Sequence, residues 1–450
     1  MLDWPQRRFR VGQPLRLDSA WPVGERTTAD SDDALFVTGD ALDVVAKLFG
    51  HGYESKAKVV YLDPPFFSQE DYVHEARLDG HADGRVVRTD AFQDRWGASD
   101  AAPYLEMLAP RLEAAVRLLR ADGTLWLHLD YRAAYFARLL LEEIMGPRAF
   151  LNEIVWRRAP NLGRQAASHQ FGRTLDTILV YGGPDAKLVP PTRLEPIEAA
   201  AIRFDDEGRP FTSAPRGDYT DASVAKLAAE GRVHTSASGK VYIKYFLVKN
   251  ADDVWCRERR IDALWTDIPP LRHAAASERT GYPTQKPLAL LERIIAAASD
   301  PGDLVIDLFA GSGTTGEAAY RLGRRFVLGD RGAVSRATAR ARLWRAGVPL
   351  KIIQETEPLG YQAAIASVER LGLLSRRVIL SAPKDPLAWA VGGMDGDTFV
   401  IHWHAERKLG VRGKGIAMES PPIEVGGPLV VRAYADDGCV WQSTLEASAR

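Results

Sequence analysis

Two short apolar runs, far apart in the chain, both end on an aspartate, and together they restrict the fold. Val59-Val60-Tyr61-Leu62 closes on Asp63-Pro64-Pro65-Phe66, and Leu304-Val305-Ile306 closes on Asp307-Leu308-Phe309-Ala310-Gly311-Ser312-Gly313. A continuous apolar run of strand length suits a strand covered on both faces, as in a parallel sheet. The first run stops at a rigid proline turn, and the second opens a glycine loop that leads into a helix. In a doubly wound sheet two such ends lie side by side at the carboxyl edge, where these folds bind ligands.

The surrounding text alternates as that architecture requires. Leu35-Phe36-Val37 leads through Thr38-Gly39-Asp40 into an amphipathic helix that Gly50 closes. Pro103 opens a helix in which Tyr104, Leu105, Leu108, Leu112, Ala115, Val116 and Leu119 share a face. A strand over Thr124–Leu129 and a helix over Tyr131–Met145 follow. The rhythm resumes with a helix over Pro287–Ala298, a strand over Leu304–Ile306, a helix over Thr314–Leu322 and a strand over Arg325–Leu328. Between the proline turn and Pro103, residues 68–97 are polar and aperiodic, and a loop of that length reads as a lid.

These patterns divide the chain at composition changes. Residues 1–34 form a basic arm, 35–187 and 268–348 are the two halves of an α/β domain, 188–267 is an insertion, and 349–450 is a small β-rich C-terminal domain. With 46% hydrophobic and 26% charged residues, the composition is that of an ordinary globular protein. Apolar stretches are strand-sized and no signal-like segment opens the chain, so no membrane association is expected. Cys256 and Cys439 make neither a disulfide framework nor a zinc site. His402 and His404 alternate on a strand without a third ligand, so no metal is expected, and a reducing cytoplasm is the expected compartment.

A net charge of -1 gives no global case for a polyanionic partner. Charge is uneven, however: Arg7, Arg8, Arg10 and Arg16 crowd the arm, and Arg157, Arg158, Arg164 and Arg173 crowd one central stretch. A neutral protein can hold nucleic acid on such a local face, with salt-dependent affinity, although a solvated surface is the plainer reading.

Gly311-Ser312-Gly313-Thr314-Thr315-Gly316 satisfies the dinucleotide fingerprint, so NAD has to be weighed against S-adenosylmethionine and against a ligand-free turn. Asp307 favours S-adenosylmethionine: its carboxylate suits an ammonium group and would repel a pyrophosphate. Asp330, ending the next strand, suits ribose hydroxyls of either cofactor. At the other end, Asp63 and the proline carbonyls can accept hydrogen bonds from an exocyclic amine, and Phe66 can stack on its ring. A surface turn is the bland alternative for the same four residues.

Taken in order, these elements resemble the amino-group DNA methyltransferases of the β-type motif order, the N4-cytosine/N6-adenine class, and particularly type III modification subunits. The D-P-P-[YF] element precedes the F-x-G-x-G element here as it does there. The resemblance implies a Rossmann-like S-adenosylmethionine-dependent methyltransferase fold of permuted motif order, with target recognition in the inserted region. It implies catalytic roles for Asp63, Pro64, Pro65 and Phe66. Asp40, Thr284, Gln285, Lys286, Asp307, Phe309, Ala310, Gly311, Ser312, Gly313, Thr314 and Asp330 would hold the cofactor. Arg157, Arg158, Arg164 and Arg173 would contact DNA.

The implied reaction is methyl transfer from S-adenosylmethionine to N6 of adenine in duplex DNA, by base flipping. The aspartate at residue 63 favours adenine over cytosine N4. A non-catalytic DNA-binding subunit and an RNA or protein methyltransferase are the other readings. Double-stranded DNA, a cognate restriction endonuclease and a second copy of the chain are the partners the resemblance suggests. The chain departs from the family in DLFAGSG, which lacks a proline after the aspartate, and in Leu328-Gly329-Asp330. The segment after Pro349 has no counterpart.

Overall fold

The structure, a computed structural model, describes residues 7–8, 11–12, 23–27, 32–77, 86–96, 101–160, 169–236, 238–353, 362–371, 375–383, 386–406, 416–424, 427–435 and 439–445. Most of the basic arm, Arg10 and Arg16 included, and Arg164 lie outside these residues. The chain forms two compact units, one of residues 1–189 with 263–450, the other Pro190–Asp262.

In the larger unit, strand β1 (Val23–Thr27) precedes β2 (Ala34–Thr38), helix α1 (Ala41–Gly50) and strand β3 (Ala57–Leu62). Asp40 caps α1 by accepting a hydrogen bond from Leu42 N at 3.1 Å, which satisfies one of the orphan amides of a helix start. A hairpin of β4 (Glu70–Arg77) and β5 (Val86–Asp94) comes next, then α2 (Ala102–Leu118), β6 (Leu119–Leu129), α3 (Ala134–Met145), β7 (Phe150–Arg157) and β8 (Leu175–Gly182). The hairpin corrects the expectation of an aperiodic loop over 68–97. Its strands pair antiparallel from Glu70↔Asp94 onward, and Tyr72 stacks on Phe92 at 4.7 Å between ring centroids. A two-stranded ribbon has no continuous buried face, so its sequence need not alternate cleanly.

The smaller unit is an antiparallel sheet of β9 (Thr192–Pro196), β10 (Arg203–Phe204), β11 (Pro210–Pro215), β12 (Val233–Thr235), β13 (Val241–Lys249) and β14 (Trp255–Arg260). Helix α4 (Asp221–Ala229) precedes β12. Phe211, Ile243, Leu247 and Cys256 are its buried residues, and cations cover its aromatic rings: Arg257 lies 3.5 Å from the centroid of Tyr245 and Arg209 4.4 Å from that of Phe246.

The larger unit continues with β15 (Leu264–Trp265), α5 (Leu288–Ala298), β16 (Leu304–Asp307), α6 (Thr314–Arg321), β17 (Arg325–Asp330), α7 (Ala333–Arg345) and β18 (Lys351–Ile353). Strands β6, β3, β16, β17, β2 and β18 lie side by side and all parallel. Their apolar residues are buried on both faces, under Val44 and Leu48 of α1, Leu105, Leu108 and Leu112 of α2, and Leu290 and Ile294 of α5. Each fully buried leucine contributes about 1.5–3 kcal/mol relative to exposure. From β3 the chain passes through α2 to β6 on one side, and from β16 through α6 to β17 on the other. The gap between β3 and β16 is therefore the topological switch point.

The remaining strands are β19 (Gln362–Ala363), β20 (Ile365–Arg370), β21 (Ser375–Ala382), β22 (Ala388–Asp395), β23 (Thr398–Glu406), β24 (Ile423–Glu424), β25 (Leu429–Tyr434) and β26 (Val440–Leu445). Strands β20, β21 and β24 make a separate three-stranded sheet. The others of this segment extend the main sheet, because β1 pairs with β18 on one edge and with β23 on the other.

Candidate functional site

Register alone brings the two aspartate-terminated strands together: β3 and β16 are parallel neighbours with Asp307 opposite Tyr61. Their following loops line one cavity of about 390 Å³. Asp40, Asp63, Pro64, Pro65, Phe66, Thr284, Gln285, Lys286, Asp307, Phe309, Ala310, Gly311, Ser312, Thr314 and Asp330 all reach its wall. Gly313 does not line it but shapes the loop that does.

At the glycine end, Gly311 has φ +49° and Gly313 φ +76°, both left-handed. A Cβ on Gly311 would sit 3.1 Å from the Tyr282 ring, and one on Gly313 would sit 2.9 Å from the Ala339 Cβ. Only glycine meets both demands. Gly311 N donates to Asp330 Oδ2 at 2.9 Å, and Gly332 N to Asp330 Oδ1 at 2.7 Å. Burial raises the Asp330 pKa above the usual carboxylate value. Asp307 is buried deeper and accepts from Phe309 N at 2.9 Å and Thr315 Oγ1 at 2.5 Å. Burial first, and then the nearby charges of Asp63 and Asp330, push its pKa up to about 7 against the hydrogen bonds. Among the described residues no cation pairs with Asp307 or Asp330. A cavity lined this way favours a ligand carrying positive charge.

Other expected cofactor residues have local partners. Arg111 donates to both oxygens of Asp40 at 2.7 Å. Gln285 braces its own loop, accepting from Thr280 N at 2.9 Å and donating to Glu278 O at 2.8 Å. Thr284 has φ +60°, and its carbonyl accepts from Lys286 Nζ at 3.2 Å. Thr314 Oγ1 donates to Lys286 O at 3.3 Å and shares a 3.0 Å hydrogen bond with Ser312 Oγ.

At the proline end, Lys286 makes an ion pair with Asp63 Oδ2 and lies 5.0 Å from the Phe66 ring centroid. Asp63 Oδ1 is buried with no hydrogen-bond partner among the described residues. The rest of the turn is tied down. Tyr104 OH donates to Pro65 O at 2.9 Å. The Asp94 carboxylate accepts from the amides of Phe66 at 3.0 Å, Phe67 at 3.0 Å and Ser68 at 2.7 Å, and from Trp96 Nε1 at 2.8 Å. No described group donates to Pro64 O. Asp63 Oδ1 and Pro64 O are thus two acceptors of the turn without a donor among the described residues.

Beneath Phe66, the His128 ring packs at 5.8 Å, tilted by 35°. Its Nδ1 shares a 2.8 Å hydrogen bond with Tyr61 OH, and its Nε2 lies 3.2 Å from Asp176. Burial raises the Tyr61 pKa well above 10, so the phenol stays neutral. Asp94, Tyr104, Arg111, Asp176 and Tyr282 were not singled out from sequence. Tyr104 read as one more core position of its helix, and Asp94 as one more polar residue of a loop.

Of the arginines expected to contact DNA, the described ones, Arg157, Arg158 and Arg173, do not line the cavity. Arg157 is exposed at the end of β7. Arg158 Nε lies 2.7 Å from Asp176 Oδ1 in an ion pair without hydrogen-bond alignment. Arg173 covers the Tyr131 ring at 4.7 Å and donates to its hydroxyl at 2.5 Å. Asp267, in the Asp267-Ile268-Pro269-Pro270 imitation of the proline motif, pairs with Arg293 at 2.6 Å, and Ile268 O accepts from Trp156 Nε1 at 3.1 Å.

A protein-family model described as DNA methylase matches residues 57–334. The Type II methyltransferase M.EcaI of Enterobacter cloacae is 30% identical over 299 residues, which cover 60% of this chain and 61% of that protein. The Type III restriction-modification enzyme StyLTI Mod subunit of Salmonella typhimurium is 26% identical over 348 residues, covering 67% of this chain and 52% of that protein. The chain therefore spans 61% and 52% of the length of these curated relatives. Among solved structures, PvuII DNA methyltransferase (cytosine-N4-specific) aligns with a TM-score of 0.41 at 15% identity over 71% of this chain and 89% of its own. The M1.HpyAVI–SAM complex aligns with a TM-score of 0.39 at 17% identity over 69% of this chain and 98% of its own.

Proposed function

The chain belongs to the DNA methylase family, and we propose that it transfers a methyl group from S-adenosylmethionine to N6 of adenine in duplex DNA. The observation that carries this reading is the pairing of two free acceptors, Asp63 Oδ1 and Pro64 O, with an electronegative glycine-loop pocket in the same cavity. S-adenosylmethionine, when bound, supplies a methyl group on an electron-poor sulfur. The uncompensated Asp307 fits its ammonium group, and Asp330 fits its ribose hydroxyls. Lys286 and the Phe309–Thr314 loop complete that side.

An adenine amine is a weak nucleophile because its lone pair is delocalised into the ring. Hydrogen bonds from its two N–H groups to Asp63 Oδ1 and Pro64 O would turn the nitrogen toward tetrahedral geometry. As the N–C bond forms and the S–C bond breaks, the surplus proton leaves the nitrogen through the Asp63 hydrogen bond. Phe66 would stack on the ring, worth about 1–3 kcal/mol per base. The chain's contribution is positioning and electrostatics, with no covalent enzyme intermediate. The base has to be extruded first, at a cost of a few kcal/mol.

Adenine is preferred over cytosine N4 on the identity of residue 63. We assign sequence reading to the inserted region and phosphate contact to Arg157, Arg164 and Arg173. Arg158 contributes less, because Asp176 already offsets its charge. A cytoplasmic location, a cognate restriction endonuclease and a homodimer belong to the same proposal.

Expression in a methylation-free host, with long-read detection of modified bases, tests it. The expected result is N6-methyladenine confined to one motif and absent with Asp63→Ala, while that variant still binds cofactor. N4-methylcytosine would overturn the choice of base. Unmodified DNA together with methylated RNA or protein would overturn the substrate class.

A further inference from the structure

We propose that Asp94, with Tyr104, is a positioning residue for methyl transfer: it sets the shape of the turn from which Asp63 and Pro64 grip the amine. This inference rests on the methyltransferase reading above. Most polar groups of the turn have a partner within the chain. Pro65 O takes the Tyr104 hydroxyl at 2.9 Å. The amides of Phe66, Phe67 and Ser68 converge on the Asp94 carboxylate at 2.7–3.0 Å, and Gln69 N donates to Asp94 O at 2.8 Å. Ser68 O accepts from Arg132 Nη1 at 3.4 Å. Among the acceptors left over are Asp63 Oδ1 and Pro64 O, the pair the reaction needs.

Nothing local would hold the chain in this form. Phe67 and Gln69 adopt φ of +60° and +64°, which non-glycine residues keep only where their surroundings enforce it. Three successive amides closing on one carboxylate form an anion nest, and the carboxylate supplies the enforcement. Asp94 is only 1% exposed and has a fourth donor in Trp96 Nε1 at 2.8 Å, so both its oxygens are committed. An asparagine of the same shape would turn an NH₂ toward at least one of those donors.

Asp94 also ends β5, whose hairpin puts Tyr72 and Phe92 on the cavity wall. The carboxylate therefore ties the cavity's aromatic wall to the turn, and the two are expected to move together. None of the hydrogen bonds of Asp94 reaches the glycine loop. Its loss is expected to act on the acceptor side alone.

The test compares Asp94→Asn, Tyr104→Phe and Asp63→Ala in the full chain. It measures melting temperature, S-adenosylhomocysteine affinity, KM for duplex DNA and single-turnover rate. For Asp94→Asn the rate is expected to fall about 30- to 100-fold, the effect of a sub-ångström to 1 Å misplacement, with affinity and KM changed less than about threefold. Tyr104→Phe, which removes one hydroxyl and keeps the packing, is expected to lose about tenfold in rate by the same route. A wild-type rate in Asp94→Asn, or a loss expressed only in KM or cofactor affinity, overturns the proposal. Should Asp94→Asn fail to fold, a wild-type rate in Tyr104→Phe overturns it. Turnover by Asp63→Ala would sink the underlying reading instead, whereas an inactive Asp63→Ala beside a fully active Asp94→Asn sinks this inference alone.

Discussion

Asp307 is the side chain whose charge state most affects the pocket. Its pKa stands at about 7 instead of 3.8 because burial outweighs two hydrogen bonds. The folded chain thus holds this proton more tightly than the unfolded chain. This carboxyl's contribution to stability is present at low pH and lost as pH rises from about 3.8 through about 7. Binding of a cationic ligand has the opposite slope, since it requires the ionised form. Cofactor affinity is expected to climb as pH approaches 7, about tenfold per unit at most, and to release a proton. Titration calorimetry in buffers of different ionisation enthalpy reads that proton directly. Asp307→Asn should flatten the profile and raise the melting temperature at neutral pH. The position of Asp307 was legible in sequence because it ends an apolar run before a glycine loop. The site residues Asp94 and Arg111 were not, because the contacts that give them their roles, to the amides of residues 66–68 and to Asp40, lie 26 or more positions away and leave no local pattern.

Among the elements, the buried parallel strands were the easiest to read, since burial on both faces writes an unbroken apolar run. Helix α7 was missed for the opposite reason: its buried face carries Arg340 and Arg342, which a hydropathy pattern counts as solvent-facing. Arg340 Nε lies 3.0 Å from Glu25 Oε2, and Arg342 Nε lies 2.5 Å from Glu317 Oε2. Helix α7 also fixes the glycine loop, because its Ala339 fills the space beside Gly313. Gly313→Ala would meet both that contact and a φ of +76°. The expected cost is about 1–3 kcal/mol by analogy with other strained backbone positions, measured by urea denaturation. Cofactor binding should weaken in parallel, since the same loop faces the cavity.

Strand β1 and the pairings on either side of it join the parallel sheet to the antiparallel strands that follow residue 386. Its Glu25 is 2% exposed and faces Arg340 at 3.0 Å and Arg432 at 3.5 Å. Glu25→Ala would leave two buried guanidinium groups short of a counter-charge, at an expected cost of about 3–5 kcal/mol in thermal or chemical denaturation. The inserted unit was legible as an interruption of the α/β rhythm, with β13 its one evident strand. Its other strands escaped notice because short, half-exposed antiparallel strands alternate weakly. How the last hundred residues attach was not legible either, since a pairing such as Glu25 with Phe399 spans nearly the full chain.

That pairing has a consequence for biosynthesis. Residues 23–27 are synthesised well before their neighbours, residues 351–353 and 399–401. Until residues 351–353 have been made, this strand has no neighbour on either side, an invitation to mispair with other nascent chains. Emergence of residues 399–401 is then the event that gives this strand both of its neighbours.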